Sequence, residues 1–336
     1  MPTLQLSKGN LNAQFNAAVT QIRDTFHKHG FEIYRDTMVD EIAEIVPNDQ
    51  SALLQIGMLI DASGYRIVPL TQGSHYSENP PIIIGECGYE KLELFALEWA
   101  EYWDNVTKAR YLQSIPSITS GKVQIIPLIE ILKKFKENPT CLYDKLPFFH
   151  TAHKVDPLDT KSGTDPNLIY QPLTSAGWDA VFQKIITRKA PGSRAAQDKY
   201  FLPNRSIADG NQMVIYTGYA SIASSLGKIF DPSAFWNPGT NQATETRKVY
   251  AKATVQLCPE MAVIDADAND YVYIFLKTDA ERGAMVRIPH APQVKRTQAN
   301  SDEDVDRDVM RIAAKQTFGC TLTNPWKVYK WKFTSP

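Results

Sequence analysis

Hydrophobic positions recur along the chain with two spacings, one typical of helices and one typical of strands. Residues 7–30 show the helical spacing of three or four residues, with Ser7 as a suitable N-cap and Gly30 as a suitable stop. The predicted buried face consists of Leu11, Phe15, Val19, Ile22 and Phe26. The chain therefore begins with an amphipathic helix that needs an apolar surface to cover it.

The same spacing predicts further helices. One covers residues 125–137, where Pro127 is acceptable in the first turn, and another carries the stripe Trp178, Val181, Phe182 and Ile185. The stretch "QMVIYTG" reads as a buried strand and "YASIASSLGKIF" as the helix that follows it. Residues 301–319 carry the strongest capping signals, with Ser301 as N-cap, an acidic first turn and Gly319 at the end. The sequence therefore predicts several helices interleaved with strands.

Strand signals are strongest in "KATVQLCPEMAVID", "DYVYIFLKT" and "NPWKVYKWKF". Residues 91–103 fit a helix and a strand equally well, and residues 156–172 and the stretch "WNPGTNQATETRK" read as loops. Residues 64–88 differ from the rest, because strand-like pieces at 65–70 and 81–85 flank a polar centre. This pattern predicts a long hairpin arm, which is marginal by itself and needs another surface to lie on.

Composition and charge exclude several classes of protein. The 336 residues are 43% hydrophobic and 22% charged, as in folded globular proteins, and the formal net charge is -1. That charge disfavours a protein that grips nucleic acid in a basic groove. The four cysteines are far apart and favour reduced, buried thiols. The sequence shows no signal peptide and no apolar stretch long enough to span a membrane.

Candidate chemistry is sparse. His150 and His153 in "LPFFHTAHKVDP" could form a metal site, an acid–base pair or the structural edge of a domain, and the missing ligand pattern favours the structural role. Asp265, Asp267 and Asn269 match the start of a calcium loop, but Asp270 stands where glycine is needed and Leu276 where glutamate is needed. An acidic hairpin turn is the better interpretation. No nucleotide-binding, nucleophile or zinc-protease motif occurs.

The order of these pieces, together with "FFHTAH", "NQMVIYTGYASIA" and the closing "DVDRDVMRIAAKQTFGCTLTNPWKVYK", resembles the major head subunit (gpT) family of Mu-like tailed phages. That family has the Hong Kong-97-type capsid fold. The resemblance spans roughly residues 60–333 in short matches. Two departures stand out: Lys145 replaces the glycine that usually follows Tyr-Asp, and Lys154 replaces the proline of the usual His-Pro-Val.

The resemblance implies an α+β capsid fold with an extended loop and a long spine helix. The implied domains are an N-terminal arm with a helix (1–62), the extended β-hairpin loop (63–98), the peripheral domain with the spine helix (99–145), the axial domain (146–300), and a C-terminal helix and strand returning to the core (301–336). It further implies that Phe148 and Phe149 plug the core and that the two histidines help to satisfy a turn.

The implied function is that of a major capsid protein, not an enzyme and without cofactor or metal, that self-assembles into an icosahedral shell around double-stranded DNA. The expected subunit contacts are Phe15, Phe26, Tyr65, Ile67, Tyr76, Ile82 and Ile84. The expected partners are its own copies in hexamers and pentamers, portal, scaffolding or protease proteins, a decoration protein where one exists, and weakly bound DNA, but no membrane. The expected location is the virion head, assembled in the bacterial cytoplasm.

Two other functions stay open at this point. The first is a nanocompartment shell of the same fold that loads protein cargo in place of DNA. The second is a soluble α/β metal-dependent enzyme with a site near His150, His153 or Asp265.

Overall fold

The computed structural model describes residues 37–58, 82–102, 127–154, 163–187, 213–230, 236–237, 242–243, 253–277, 282–290, 293–296 and 309–334, together with residue 17. Apart from that residue, the predicted helix over 7–30 lies outside these ranges, as does the predicted strand over 65–70. Within the described residues, no helix is long and apolar enough to cross a membrane.

Among the described residues strands outnumber helices, and the two alternate only in the middle of the chain. They are α1 Thr37–Ile42, β1 Ala43–Pro47, β2 Leu53–Met58, β3 Ile82–Gly88, β4 Glu93–Tyr102, α2 127–137, β5 Leu168–Tyr170, α3 Ser175–Ile186, β6 Met213–Thr217, α4 Ala220–Phe230, β7 Trp236–Asn237, β8 Gln242–Ala243, β9 Thr254–Leu257, α5 Pro259–Ile264, β10 Tyr271–Leu276, β11 Ala284–Ile288, β12 Gln293–Arg296, β13 Val309–Leu322 and β14 Val328–Lys332.

One five-stranded sheet, in the order β5-β14-β10-β6-β9, is buried on both faces along its central strands. Every residue of β6 and of β10 is buried, as expected for central strands that read as continuous apolar runs. On one face lie α3 and α4, whose apolar stripes pack against alternate residues of β10 such as Val272 and Ile274. On the other face lies α2, packed against Tyr271, Tyr273 and Phe275. Alternate side chains of β10 therefore belong to two separate apolar clusters, one on each face of the sheet.

The second five-stranded sheet is built around the long strand β13. Its C-terminal part pairs with β11 and its N-terminal part with β12, while β4 pairs antiparallel along β13 from the Val309–Tyr102 pair to the Phe318–Glu93 pair. On the far side of β11 lies β1, which runs parallel to it. Residues of β11 and β13, including Val286 and Phe318, share one apolar cluster with α2. Helix α2 therefore joins the two sheets.

The predicted helix over residues 301–319 is wrong for its described part, because residues 309–322 form β13. The reason is tertiary: β13 satisfies its backbone along both edges through β4, β11 and β12, which outweighs the local capping signals. The ambiguous residues 91–103 are resolved as a strand for the same reason, since β4 is the partner of β13. Ser301 lies outside the described residues.

Three smaller expectations also need correction. The strand predicted in "KATVQLCPEMAVID" ends at Leu257, because Pro259 cannot donate to a ladder and instead begins α5. The predicted loop 156–172 contains β5, held parallel to β14. The predicted loop around "WNPGTNQATETRK" contains the short β7–β8 pair. The other predicted elements within the described residues are confirmed: α2, α3, α4, β6, β10 and β14.

Candidate functional site

The segment that follows α2 is a tight turn tied back to the end of that helix. The amide of Cys141 donates to the carbonyl oxygen of Leu146 at 2.7 Å, and the amide of Phe148 donates to the oxygen of Pro139 at 2.8 Å. Lys145 adopts a φ of 61°, in the left-handed region that favours glycine. Lys145 therefore holds a backbone conformation that glycine adopts without strain.

Phe148 and Phe149 fill the core below this turn, as the resemblance implied. Both are 2% exposed, and their rings lie 5.7 and 5.6 Å from that of Phe135 on α2. Phe149 also stacks on Tyr273 of β10 at 5.3 Å. The pair joins α2 to the doubly buried sheet.

His153 is completely buried, and both of its ring nitrogens face hydrogen-bond acceptors. Nε2 lies 2.9 Å from the carbonyl oxygen of Phe148, and Nδ1 lies 2.7 Å from Oδ2 of Asp144. A carbonyl can only accept, so Nε2 carries a proton; a carboxylate also accepts, so Nδ1 carries one as well. Burial raises the pKa of Asp144, but hydrogen bonds from His153 and the Leu146 amide outweigh it and lower that pKa overall. The geometry is therefore that of a buried imidazolium–carboxylate pair.

His150 and Asn167 complete the turn. The Nδ1 atom of His150 accepts from the amide of Ala152 at 3.1 Å. The side-chain oxygen of Asn167 accepts from the amide of His150 at 2.9 Å, and its Nδ2 donates to the carbonyl oxygens of Phe148 and Pro325. The structural role expected for the two histidines is confirmed. Asn167 was not foreseen, because a lone asparagine in a polar loop carries no distinctive sequence signal.

Cys141, Asp144 and His153 form the group of potential metal ligands that the described residues bring together, with ligand atoms within 4.8 Å of one another. Zinc holds its ligands at about 2.0–2.3 Å, which separates tetrahedral neighbours by more than about 3 Å. The 2.7 Å between Nδ1 of His153 and Oδ2 of Asp144 is a hydrogen-bond distance instead. Burial also raises the pKa of the Cys141 thiol, which favours its neutral form. In this structure His153 and Asp144 are therefore joined by a hydrogen bond.

Asp265 takes part in local structure. Its carboxylate accepts from the amide of Asp267 at 3.2 Å and from the Tyr271 hydroxyl at 3.0 Å, capping the short 3-10 turn Ala266–Asn269. The expected acidic turn is confirmed, although it joins α5 to β10 and not two strands of a hairpin. This use of the carboxylate does not support the sequence hypothesis of a metal enzyme.

The arm predicted at residues 64–88 does have a two-stranded base, but its first described strand begins earlier. Strand β3 pairs antiparallel with β2, from the Leu53–Gly88 pair to the Met58–Ile82 pair, with a bulge between Ile56 and Gly57. The hairpin thus starts at Leu53 and not at residue 63. Leu53 and Ile83 are 45% and 38% exposed, so apolar side chains of the arm face outward.

Of the expected subunit contacts, Phe15, Phe26, Tyr65, Ile67 and Tyr76 lie outside the described residues. Ile82 begins β3 at the outer end of the described ladder. Ile84 is 3% exposed and packs with Trp326 of its own chain, so it is not available to a neighbouring copy. Successive side chains of a strand point to opposite faces, so near the base of the arm it is Ile83, and not Ile84, that faces outward.

No protein-family model matches this chain, and no curated protein matches its sequence. In structure it is similar to a chain of the asymmetric unit of the bacteriophage PhiM1 mature capsid, with a TM-score of 0.50 and 11% identity, over 88% of this chain and 86% of that one. It is also similar to a chain of the capsid of the native GTA particle, with a TM-score of 0.50 and 11% identity, over 88% of this chain and 89% of that one. The chain therefore has the Hong Kong-97-type capsid fold, an α+β fold with several sheets.

Proposed function

We propose that this chain is the major capsid protein of a tailed phage or of a prophage-derived particle. Its copies would assemble into the icosahedral head shell that encloses packaged double-stranded DNA. The observation that carries the proposal is the likeness to two capsid chains over 88% of its length, which leaves little sequence for a separate activity. The described residues agree with this, since the side chains of His153 and Asp144 hold a turn together.

The physical logic of such a shell is geometric. A rigid body formed by two sheets around α2 carries an arm whose outer residues, such as Leu53 and Ile83, are apolar and exposed. Covering them with a neighbouring copy removes apolar area from water. Shell contacts of this kind bury roughly 2,000–5,000 Å² and close by symmetry. The proposed contacts are Phe15, Phe26, Tyr65, Ile67, Tyr76 and Ile82.

Within the capsid fold we place the chain nearest to the Mu-like major head subunits. The support is the match of "FFHTAH" and "NQMVIYTGYASIA" to that family, together with the glycine-like conformation of Lys145 in the turn between them and α2. The proposed partners are its own copies in hexamers and pentamers, portal, scaffolding or protease proteins, a decoration protein where one exists, and DNA. With a net charge of -1, contact with DNA would be weak and salt-sensitive. The proposed location is the virion head, with assembly in the bacterial cytoplasm.

Electron microscopy of the purified protein tests the proposal. Closed particles tens of nanometres across are expected, and a stable 37.8 kDa monomer would refute a shell function. The absorbance ratio at 260 and 280 nm then separates a DNA-filled head from a shell that holds protein cargo. Stoichiometric metal in the purified protein would instead revive the enzyme hypothesis.

A deletion of residues 71–80 tests the arm separately. The truncated chain is expected to remain soluble, with the circular dichroism and melting temperature of the full chain, but to fail in assembly. Normal shells from the deleted chain would show that this stretch makes no essential subunit contact.

A further inference from the structure

The arm meets the body of the protein at two segments, residues 48–54 and 86–90, which we call the arm root. Here the first ladder pair joins Leu53 to Gly88, and the amide of Tyr89 donates to the carbonyl oxygen of Ala52 at 2.8 Å. In the described part of the arm, β2 and β3 form a sheet of their own. The direction of the arm therefore depends on what holds the arm root to the body, together with the packing of Ile84 against Trp326.

Arg287 of β11 reaches both segments of the arm root. Its Nη1 donates to the carbonyl oxygen of Cys87, at the end of β3. Its Nη2 donates to the carbonyl oxygen of Ser51 and lies 3.3 Å from that of Asp49, before β2. Its Nε lies 3.4 Å from Oδ2 of Asp49. One side chain thus binds the two ends of the hairpin.

The burial of Arg287 makes these contacts costly to lose. The residue is 0% exposed and sits within the β-sheet, paired with Val46 on β1 and Gly319 on β13. A buried guanidinium needs acceptors for its donors and a nearby negative charge. Hydrogen bonding to Ser51, and secondarily the charge of Arg287, lowers the pKa of Asp49 and keeps that carboxylate ionised. Lysine could supply the charge but not the planar fork that spans both segments.

A second residue of the same region bridges the same two segments. His290, just after β11, has Nε2 3.2 Å from the Tyr89 hydroxyl and Nδ1 3.4 Å from Nε2 of Gln50. These contacts are exposed, so they add little stability to the fold as a whole. Two residues three positions apart therefore tie both halves of the arm root to the body independently.

We propose that Arg287, with His290 beside it, is a positioning residue that fixes the direction in which the arm leaves the subunit. In doing so it selects which surface of the neighbouring copy the arm can reach. The consequence for assembly rests on the proposed shell function. The attachment of the arm root to Arg287 and His290, which we call the clamp, is a property of the single chain.

The first test replaces Arg287 by lysine and uses Arg282→Lys as the matched control. Arg282 lies on the loop before β11 and donates to the carbonyl oxygen of Asp40, away from the arm root. Hydrogen exchange on unassembled subunits is expected to speed up in residues 48–54 and 86–90 of Arg287→Lys, while the buried amides of β10 stay protected. Equal loss of protection in β10 would show a general stabilising role and would overturn the proposal.

The second test counts closed particles of uniform diameter by electron microscopy, below the melting temperature of every variant. Arg287→Lys is expected to lower their fraction by roughly tenfold, equivalent to about 1.4 kcal/mol, while Arg282→Lys leaves it unchanged. His290→Ala, which removes only exposed contacts, is expected to shift exchange and particle uniformity in the same direction by less. Unchanged exchange at the arm root in both variants would refute the clamp. If the unaltered chain formed no particles, the shell function would fail while the exchange result still decided the clamp.

Discussion

Replacing Asp144 by asparagine should strongly destabilise the subunit, because it breaks a buried ion pair on one side only. The side chains of His153 and Asp144 are 0% and 2% exposed, and the imidazolium has Asp144 as the charged partner of its Nδ1. Asparagine keeps the shape but removes the charge, so His153 must either stay charged without compensation or lose a proton and a hydrogen bond. Breaking such a pair typically costs about 3–5 kcal/mol. That is a large part of the roughly 5–15 kcal/mol that holds a domain together.

Urea unfolding of unassembled subunits at pH 7, followed by tryptophan fluorescence, measures this loss. The matched control is Glu130→Gln on α2. Glu130 forms a pair of similar length, 2.7 Å, with Lys133, but these side chains are 22% and 50% exposed. Exposed pairs at this spacing contribute about 0.2–0.5 kcal/mol, so the control should change the free energy of unfolding by no more than that. The contrast separates the effect of burial from that of charge pairing.

The pH dependence of the stability loss in Asp144→Asn tests whether the contact between His153 and Asp144 is a charged one. Because the pKa of Asp144 is lowered on folding from its ordinary value of 3.8, its contribution is fully present above pH 3.8 and disappears as pH falls through the lower, folded value. The stability gap between the unaltered chain and Asp144→Asn should therefore narrow as pH falls below 3.8. A gap under about 1 kcal/mol at pH 7, as for an exposed pair, would show that the contact is not a charged one.

Three further predictions concern the same core and its turn. Phe135→Ala should cost about 3–5 kcal/mol, since this fully buried ring lies within 5.8 Å of four aromatic rings, and Phe135→Leu should cost clearly less in the same urea titration. Lys145→Gly should raise the free energy of unfolding by up to about 1 kcal/mol by relieving the left-handed backbone, whereas Lys145→Ala, which keeps Cβ, should not. Burial lowers the pKa of Lys330 from 10.5 to about 8. Between these pH values the unfolded chain binds more protons than the folded chain, so the free energy of unfolding, relative to that of Lys330→Met, should rise with pH. A fall with pH would contradict the lowered pKa.

The part of the fold that the sequence predicted well is the part where local and tertiary preferences agree. Strand β6 is followed within three residues by α4, and both carry patterns that tertiary packing also requires, with Ile222 and Leu226 of α4 buried against the sheet. The same holds for α3, where Thr174 caps the helix through the amide of Gly177. In such segments the apolar period alone fixes which face is buried.

Strand β13 shows the opposite case. Acidic residues after Ser301 and a glycine at 319 favoured a helix, but Gly319 serves a different purpose. A Cβ at that position would lie 2.8 Å from Sγ of Cys87 on β3, so glycine allows the arm and the sheet to approach closely. Since β4 and β13 pair with each other across more than two hundred residues of sequence, neither pattern could be interpreted without the other.

The contacts of Arg287 with the arm root were hidden for a related reason. Arg287 stands alone in the strand "AMVRI", and a charge inside a strand that is buried on both sides must find its partners within the protein. That much can be argued from the sequence once β11 is known to be central. Its partners Asp49, Ser51 and Cys87 are not identifiable in this way, because they offer mainly backbone carbonyls, which every residue carries, from positions 200 or more residues away. A single charged residue in a central strand thus predicts that its side chain binds partners within the protein. Only the topology shows that these partners belong to the arm root.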